Sequence, residues 1–147
     1  MARQRIEHTA TTTADPATVY RLLREGATWP DWSPIESVEL ERPGDAEPEG
    51  VGAVRILRRG RVEGRDTIAE LVPDRRFVYT HVSSLPVRDY RGEIDLEPAA
   101  TGGTAIRWVS TFEPKIPGTG RVIRRGLDGF IADMTNGLAA GAAKRAA

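Results

Sequence analysis

Polar and apolar positions change period along the chain. From Arg5 to Thr13, Ile6, His8, Ala10 and Thr12 alternate with Glu7, Thr9, Thr11 and Thr13. A period of two with β-branched residues predicts a strand. Asp15-Pro16 then places a capping carboxylate before a proline at the first helical position. Val19, Leu22 and Leu23 follow at helical spacing, and Gly26 ends the helix. Thr28 to Pro34 holds two tryptophans and two prolines, which allows a short helical turn but no long helix. Ile35–Glu41 is a short strand candidate, and Arg42 to Gly50 is a solvated loop of Pro, Gly and acids.

Strands dominate from Val51 onward. Val51–Arg59, Val62–Val72, Phe77–Ser83, Val87–Glu97 and Thr104–Glu113 are separated by turn sequences such as Arg59-Gly60-Arg61 and Pro73-Asp74-Arg75-Arg76. Intervals this short predict antiparallel pairing, because parallel strands need crossover helices. Pro114 to Gly118 breaks the pattern. Val122, Ile123, Leu127, Phe130, Ile131, Met134 and Leu138 then recur at helical spacing. Gly120, Gly126, Gly129, Gly137 and Gly141 weaken this helix by roughly 1 kcal/mol each where interior, so packing must hold it. Residues 139–147 are expected to fray. A sheet with one apolar face needs a cover, and the last helix is the only element long enough.

Four segments carry a family resemblance. Ala14-Asp15-Pro16-Ala17-Thr18-Val19-Tyr20 opens the first helix, and Trp29-Pro30-Asp31-Trp32 follows it. Glu70 to Tyr79 forms a Pro-Asp-Arg-Arg turn, and Gly102 to Trp108 starts the last strand. In this order and spacing they resemble the START-like (SRPBCC) superfamily, and within it the bacterial polyketide cyclase/dehydrase group. The resemblance implies an α+β helix-grip fold: a curved antiparallel sheet of about seven strands wrapped around a long C-terminal helix, with two short helices after the first strand. It covers residues 1–147 as one domain. It implies a hydrophobic cavity between sheet and helix, but no single reaction, since such folds serve as cyclases, dehydratases, lipid carriers, hormone receptors and chaperone regulators.

Alternation, with charges directed to water, orients the strands. Ile106, Trp108, Ser110 and Phe112 are expected inward, as are Arg88, Tyr90, Gly92, Ile94 and Leu96. Phe77, Tyr79 and His81 are taken as the inward side of their strand, and Val54 and Ile56 as that of theirs, with Arg58 near the rim. The expected ligand wall is therefore Phe77, Ile94, Trp108, Phe112, Phe130, Ile131 and Met134, with Tyr79, His81, Arg88, Tyr90 and Ser110 as polar members. Gly92 leaves room for a ligand or allows a bend. His81 is a candidate general acid or base, or an ordinary strand histidine. Arg88 either pairs with a ligand anion or points to solvent. Trp29 and Trp32 pin the short helices to the sheet, with part of a lid as the alternative. A solvated outer face accounts for Glu63 and Asp66, and another for Arg121, Arg124 and Arg125.

Composition narrows the partners. The 147 residues are 39% hydrophobic and 29% charged, and 21 basic residues balance 21 acidic ones. A neutral chain points to no nucleic-acid partner. No stretch approaches a membrane span, and the charged start does not resemble a secretion signal, so a cytoplasmic location without integral membrane contact is expected. The absence of cysteine excludes thiol chemistry. His8 and His81 are too far apart for a zinc motif, and neither a phosphate loop nor a nucleophile elbow occurs. No metal or cofactor is expected. The expected partner is a small hydrophobic or aromatic molecule, lipid- or polyketide-like, bound by a monomer or homodimer. Two alternatives stay open: a cyclase or dehydratase using the same cavity, and an interaction module of the chaperone-regulating or ribosome-associated kind.

Overall fold

The computed structural model describes residues 3–146. Seven strands form one antiparallel sheet: β1 (Gln4–Thr12), β2 (Ser37–Arg42), β3 (Val54–Arg59), β4 (Val62–Val72), β5 (Arg76–Ser83), β6 (Val87–Pro98) and β7 (Thr104–Pro114). Their spatial order is β1-β7-β6-β5-β4-β3-β2. Between β1 and β2 lie α1 (Pro16–Arg24), a 3-10 turn (Gly26–Thr28) and α2 (Trp29–Trp32); α3 (Gly120–Ala146) closes the chain. This is the helix-grip fold. Among the described residues no helix is long and apolar enough to cross a membrane.

Local sequence chemistry sets the short elements. Asp15 caps α1 by accepting the Thr18 backbone N–H at 2.9 Å, and Pro16 occupies the first turn. Buried Trp29 and Trp32 anchor α2, with ring centroids 4.9 Å apart. Their indole N–H groups donate to Leu23 O and Thr28 Oγ1, so each buried donor is satisfied.

Bulges interrupt β2 at Leu40/Arg42, β4 at Ile68/Glu70 and β6 at Arg88/Arg91. Each adds a residue to one strand and bends it. α3 runs along β1, with Gly120 against Gln4 and His8 Nε2 3.1 Å from Asp128 Oδ1. The helix does not fray after Leu138. It continues to Ala146, and Ala139 and Ala142 are buried; Ala147 lies outside the described residues. Small residues let this end of α3 sit close to α1 and α2. A Cβ on Gly137 would stand 1.9 Å from Trp32 O, and one on Gly141 would stand 2.6 Å from Trp32 Cβ. The first half of α3 is different, since Gly126 and Gly129 face nothing within 4 Å.

Candidate functional site

A cavity of about 240 Å³ opens between the β3–β6 side of the sheet and the loosely seated first half of α3. Trp29, Ile35, Leu57, Leu85, Leu127, Phe130 and Met134 supply its apolar walls. Asp66, Tyr79, His81, Ser83 and Tyr90 make up its polar side, Gly64 and Gly126 leave space, and Arg59 and Val62 stand at the rim. The Arg59 guanidinium lies 5.3 Å from the Phe130 ring centre, which ties the β3–β4 turn to α3 across the mouth.

Strand register assembles the polar side. Arg55, Asp66, His81 and Tyr90 stand opposite one another in a row across β3, β4, β5 and β6. Ile68, Tyr79, Gly92 and Ser110 form a second row, across β4 to β7. Asp66 is 5% exposed, and its Oδ1 lies 2.5 Å from His81 Nδ1. A contact this short holds a proton between the two atoms, and with Asp66 as a carboxylate acceptor that proton belongs to Nδ1. His81 Nε2 therefore has its lone pair, or a second N–H, free of protein partners among the described residues. The His81 ring lies over Gly64, where a Cβ would come within 2.4 Å of Cε1. The Tyr79 ring lies over Gly92 in the same way, at 2.2 Å. Two strand glycines thus seat the two rings that carry polar atoms to the cavity.

The tyrosines stay protonated. Burial, reinforced by Tyr90 and by the Asp66 charge, pushes the Tyr79 hydroxyl well above its usual range. Burial likewise pushes Tyr90 up to about 12, and the nearby Asp66 charge adds to the shift. Ser110 Oγ lies close enough to favour both phenolates slightly, yet makes no hydrogen bond of regular geometry. Tyr79 Oη accepts the Trp108 indole N–H at 3.2 Å, which leaves its own O–H to donate. Tyr90 stacks on Phe112, with ring centres 5.9 Å apart and planes 8° from parallel.

Arg55 closes the far end of the first row and is 2% exposed. Its Nη1 donates to Leu23 O at 3.0 Å and its Nη2 to Arg24 O, at the C-terminus of α1 where a cation is favoured. Glu49 lies 3.1 Å away, and the Trp29 and Phe77 rings flank the guanidinium. Burial pushes the Arg55 pKa down, while the Glu49 and Asp66 charges oppose that shift.

A family model for polyketide cyclase / dehydrase and lipid transport proteins matches residues 3–143. The chain belongs to this family. Several solved structures share its fold. The aromatase/cyclase Zhui from Streptomyces sp. R1128 is 18% identical, with 99% of this chain and 97% of that one covered and a TM-score of 0.79. A START superfamily protein from Mycobacterium smegmatis is 13% identical over 97% and 99%, also with a TM-score of 0.79. A norcoclaurine synthase mutant from Thalictrum flavum is 15% identical over 99% and 98%, with a TM-score of 0.75. No protein of curated function matches in sequence.

Against this cyclase/dehydrase-family frame, the expected site residues divide into three groups. Tyr79, His81, Tyr90, Phe130 and Met134 line the cavity. Phe77, Ile94, Trp108, Ser110, Phe112 and Ile131 are buried but stand behind its wall, within the packed core or beneath the tyrosines. Arg88 does neither. The β6 bulge, with Asp89 at φ 53°, turns Val87 and Tyr90 inward and leaves Arg88 exposed. The space above Gly92 is filled by Tyr79, not by a ligand.

Two further expectations fail because both applied the charges-out rule to a buried charge. The inward residues of β3 are Arg55, Leu57 and Arg59, not Val54 and Ile56, and Asp66 faces the cavity rather than solvent. A signal was present for Asp66, which is in phase with Val62, Gly64 and Ile68. None was present for Arg55, because both faces of β3 carry aliphatics. Trp29 is both pin and wall, whereas Trp32 packs beneath α3.

Proposed function

We propose that this protein binds a small, largely apolar molecule between the sheet and the first half of α3. The supporting observation is a cavity with apolar walls and one polar side, the usual form of a small-molecule site. An apolar cavity of about 150 Å³ accommodates benzene, so one of about 240 Å³ suits a ligand of one or two rings better than an extended acyl chain. Titration with naphthalene, followed by fluorescence and by native mass spectrometry, tests the reading. Saturable uptake of one molecule per chain is expected; no uptake by either method would reject it.

A second reading, catalysis in the same cavity, is favoured by one specific observation. His81 is paired with a buried carboxylate, and its second nitrogen is free to move a proton. This supplies the matched partner whose absence would remove the basis for acid–base chemistry. Deuterium wash-in at the α-carbon of an aryl ketone, followed by NMR, tests it. Exchange lost in His81→Leu is expected, and exchange no faster than in buffer would dismiss the reading. An interaction module without ligand calls for a filled interior, which the cavity disfavours.

A further inference from the structure

The Asp66–His81 pair constrains the ligand beyond its size. Asp66 Oδ1 engages Nδ1, so a neutral His81 presents the Nε2 lone pair, an acceptor with no protein donor among the described residues. His81 is part-buried, so a ligand that displaces water from Nε2 has to supply a donor in its place, and a ligand hydroxyl would do so. A ligand carboxylate fits worse. Asp66 already places a carboxylate on this pocket, and among the described residues the only arginine or lysine lining it is Arg59 at the exposed rim. Tyr79 and Tyr90 remain protonated, and Tyr79 Oη already accepts from Trp108. The polar side therefore offers acceptors, His81 Nε2 and the Asp66 carboxylate among them, and a neutral phenolic donor. A hydroxyl group, which both donates and accepts, complements them; a ketone or ether supplies no donor.

We infer that the cavity selects hydroxylated one- or two-ring aromatic molecules, with His81 Nε2 accepting the ligand hydroxyl and Asp66 acting as the positioning residue that fixes the acceptor tautomer. Trp29, Leu57, Leu127, Phe130 and Met134 would enclose the ring system. This rests on the ligand-binding reading above and adds the class of ligand to it.

The experiment compares 2-naphthol, 2-methoxynaphthalene and naphthalene on the same protein. A preference of about tenfold for 2-naphthol over both others is expected from one additional hydrogen bond. 2-Naphthol is a much stronger acid when excited, so proton transfer to Nε2 would appear as naphtholate emission from the bound probe. In His81→Leu the preference, read as a ratio within the variant, should fall to about one and the naphtholate band should vanish. Asp66→Asn, in which the amide can no longer hold the Nδ1 proton as a carboxylate does, should lower the band while His81 remains in place. Equal binding of all three probes by the unaltered protein would overturn the hydroxyl inference and leave the binding site standing. So would a naphtholate band that persists in His81→Leu. No binding of any probe would overturn both.

Discussion

Arg55 is the residue whose environment departs furthest from its type. A guanidinium is almost never fully buried unless paired. Here it satisfies Leu23 O and Arg24 O at the end of α1, sits between two aromatic rings and lies beside Glu49. Replacing it with Met keeps apolar volume but removes the donor to Arg24 O, one of two donors to Leu23 O, and the cation beside Glu49. Arg55→Met should lower unfolding free energy by about 2–4 kcal/mol, read from urea denaturation. Arg55→Lys should not restore it, because an ammonium cannot span both carbonyls and still face Glu49. The tyrosines act on stability through pH. Below pH 10 both folded and unfolded chains hold the Tyr90 proton. Between 10 and about 12 the unfolded chain releases it while the folded one retains it, so stability falls across that window. In Tyr90→Phe the same alkaline slope should be shallower, as measured by denaturation at a series of pH values.

Among the elements, α3 has two halves held by different means. Its second half approaches Trp32 so closely that Gly137 has no room for a side chain, whereas Gly129 faces open space. One substitution should therefore have opposite effects at the two positions. Gly137→Ala should destabilise by about 1–3 kcal/mol through overpacking, and Gly129→Ala should stabilise by about 0.5–1 kcal/mol through helix propensity. Thermal or urea unfolding of the two variants decides this. The first half, where Val122 is 74% exposed and the cavity lies beneath, is the weaker wall. Amide exchange should be faster from residues 121 to 130 than from residues 131 to 142, and uniform protection along the helix would rule out a movable wall.

For the whole molecule, a ligand that occupies the cavity binds the folded state alone. At about 100 times its dissociation constant it should add about 2.7 kcal/mol to unfolding, visible as a rise in Tm with 2-naphthol. The molecule spreads its stabilising contacts unevenly. The β1–β7 side packs directly against α3 with Trp108, Phe112, Ile131 and Leu138 fully buried, while the β3–β6 side stands off and leaves the cavity. Ligand-linked stabilisation would tie these two sides together.

Periodicity by itself determined the element order, the cap at Asp15, the antiparallel strands and the inward face of β7. Each depends on neighbours close along the chain, where alternation and turn chemistry act directly. It also directed Tyr79, His81, Tyr90, Phe130 and Met134 toward the cavity; Tyr90, Phe130 and Met134 share a face with clear apolar positions, whereas both faces of β5 carry apolar residues and only side-chain size favours Tyr79 and His81. Register and bulges were decided only in three dimensions. One inserted residue in β6 turned Arg88 out and kept Tyr90 in, and no local pattern announces such an insertion. The row Arg55–Asp66–His81–Tyr90 joins four strands, so its members meet only when three pairings form together. The charges-out rule failed at Arg55 and Asp66 for the same reason. A charge can be buried when partners distant in sequence are brought to it, and those partners exist only in the folded chain.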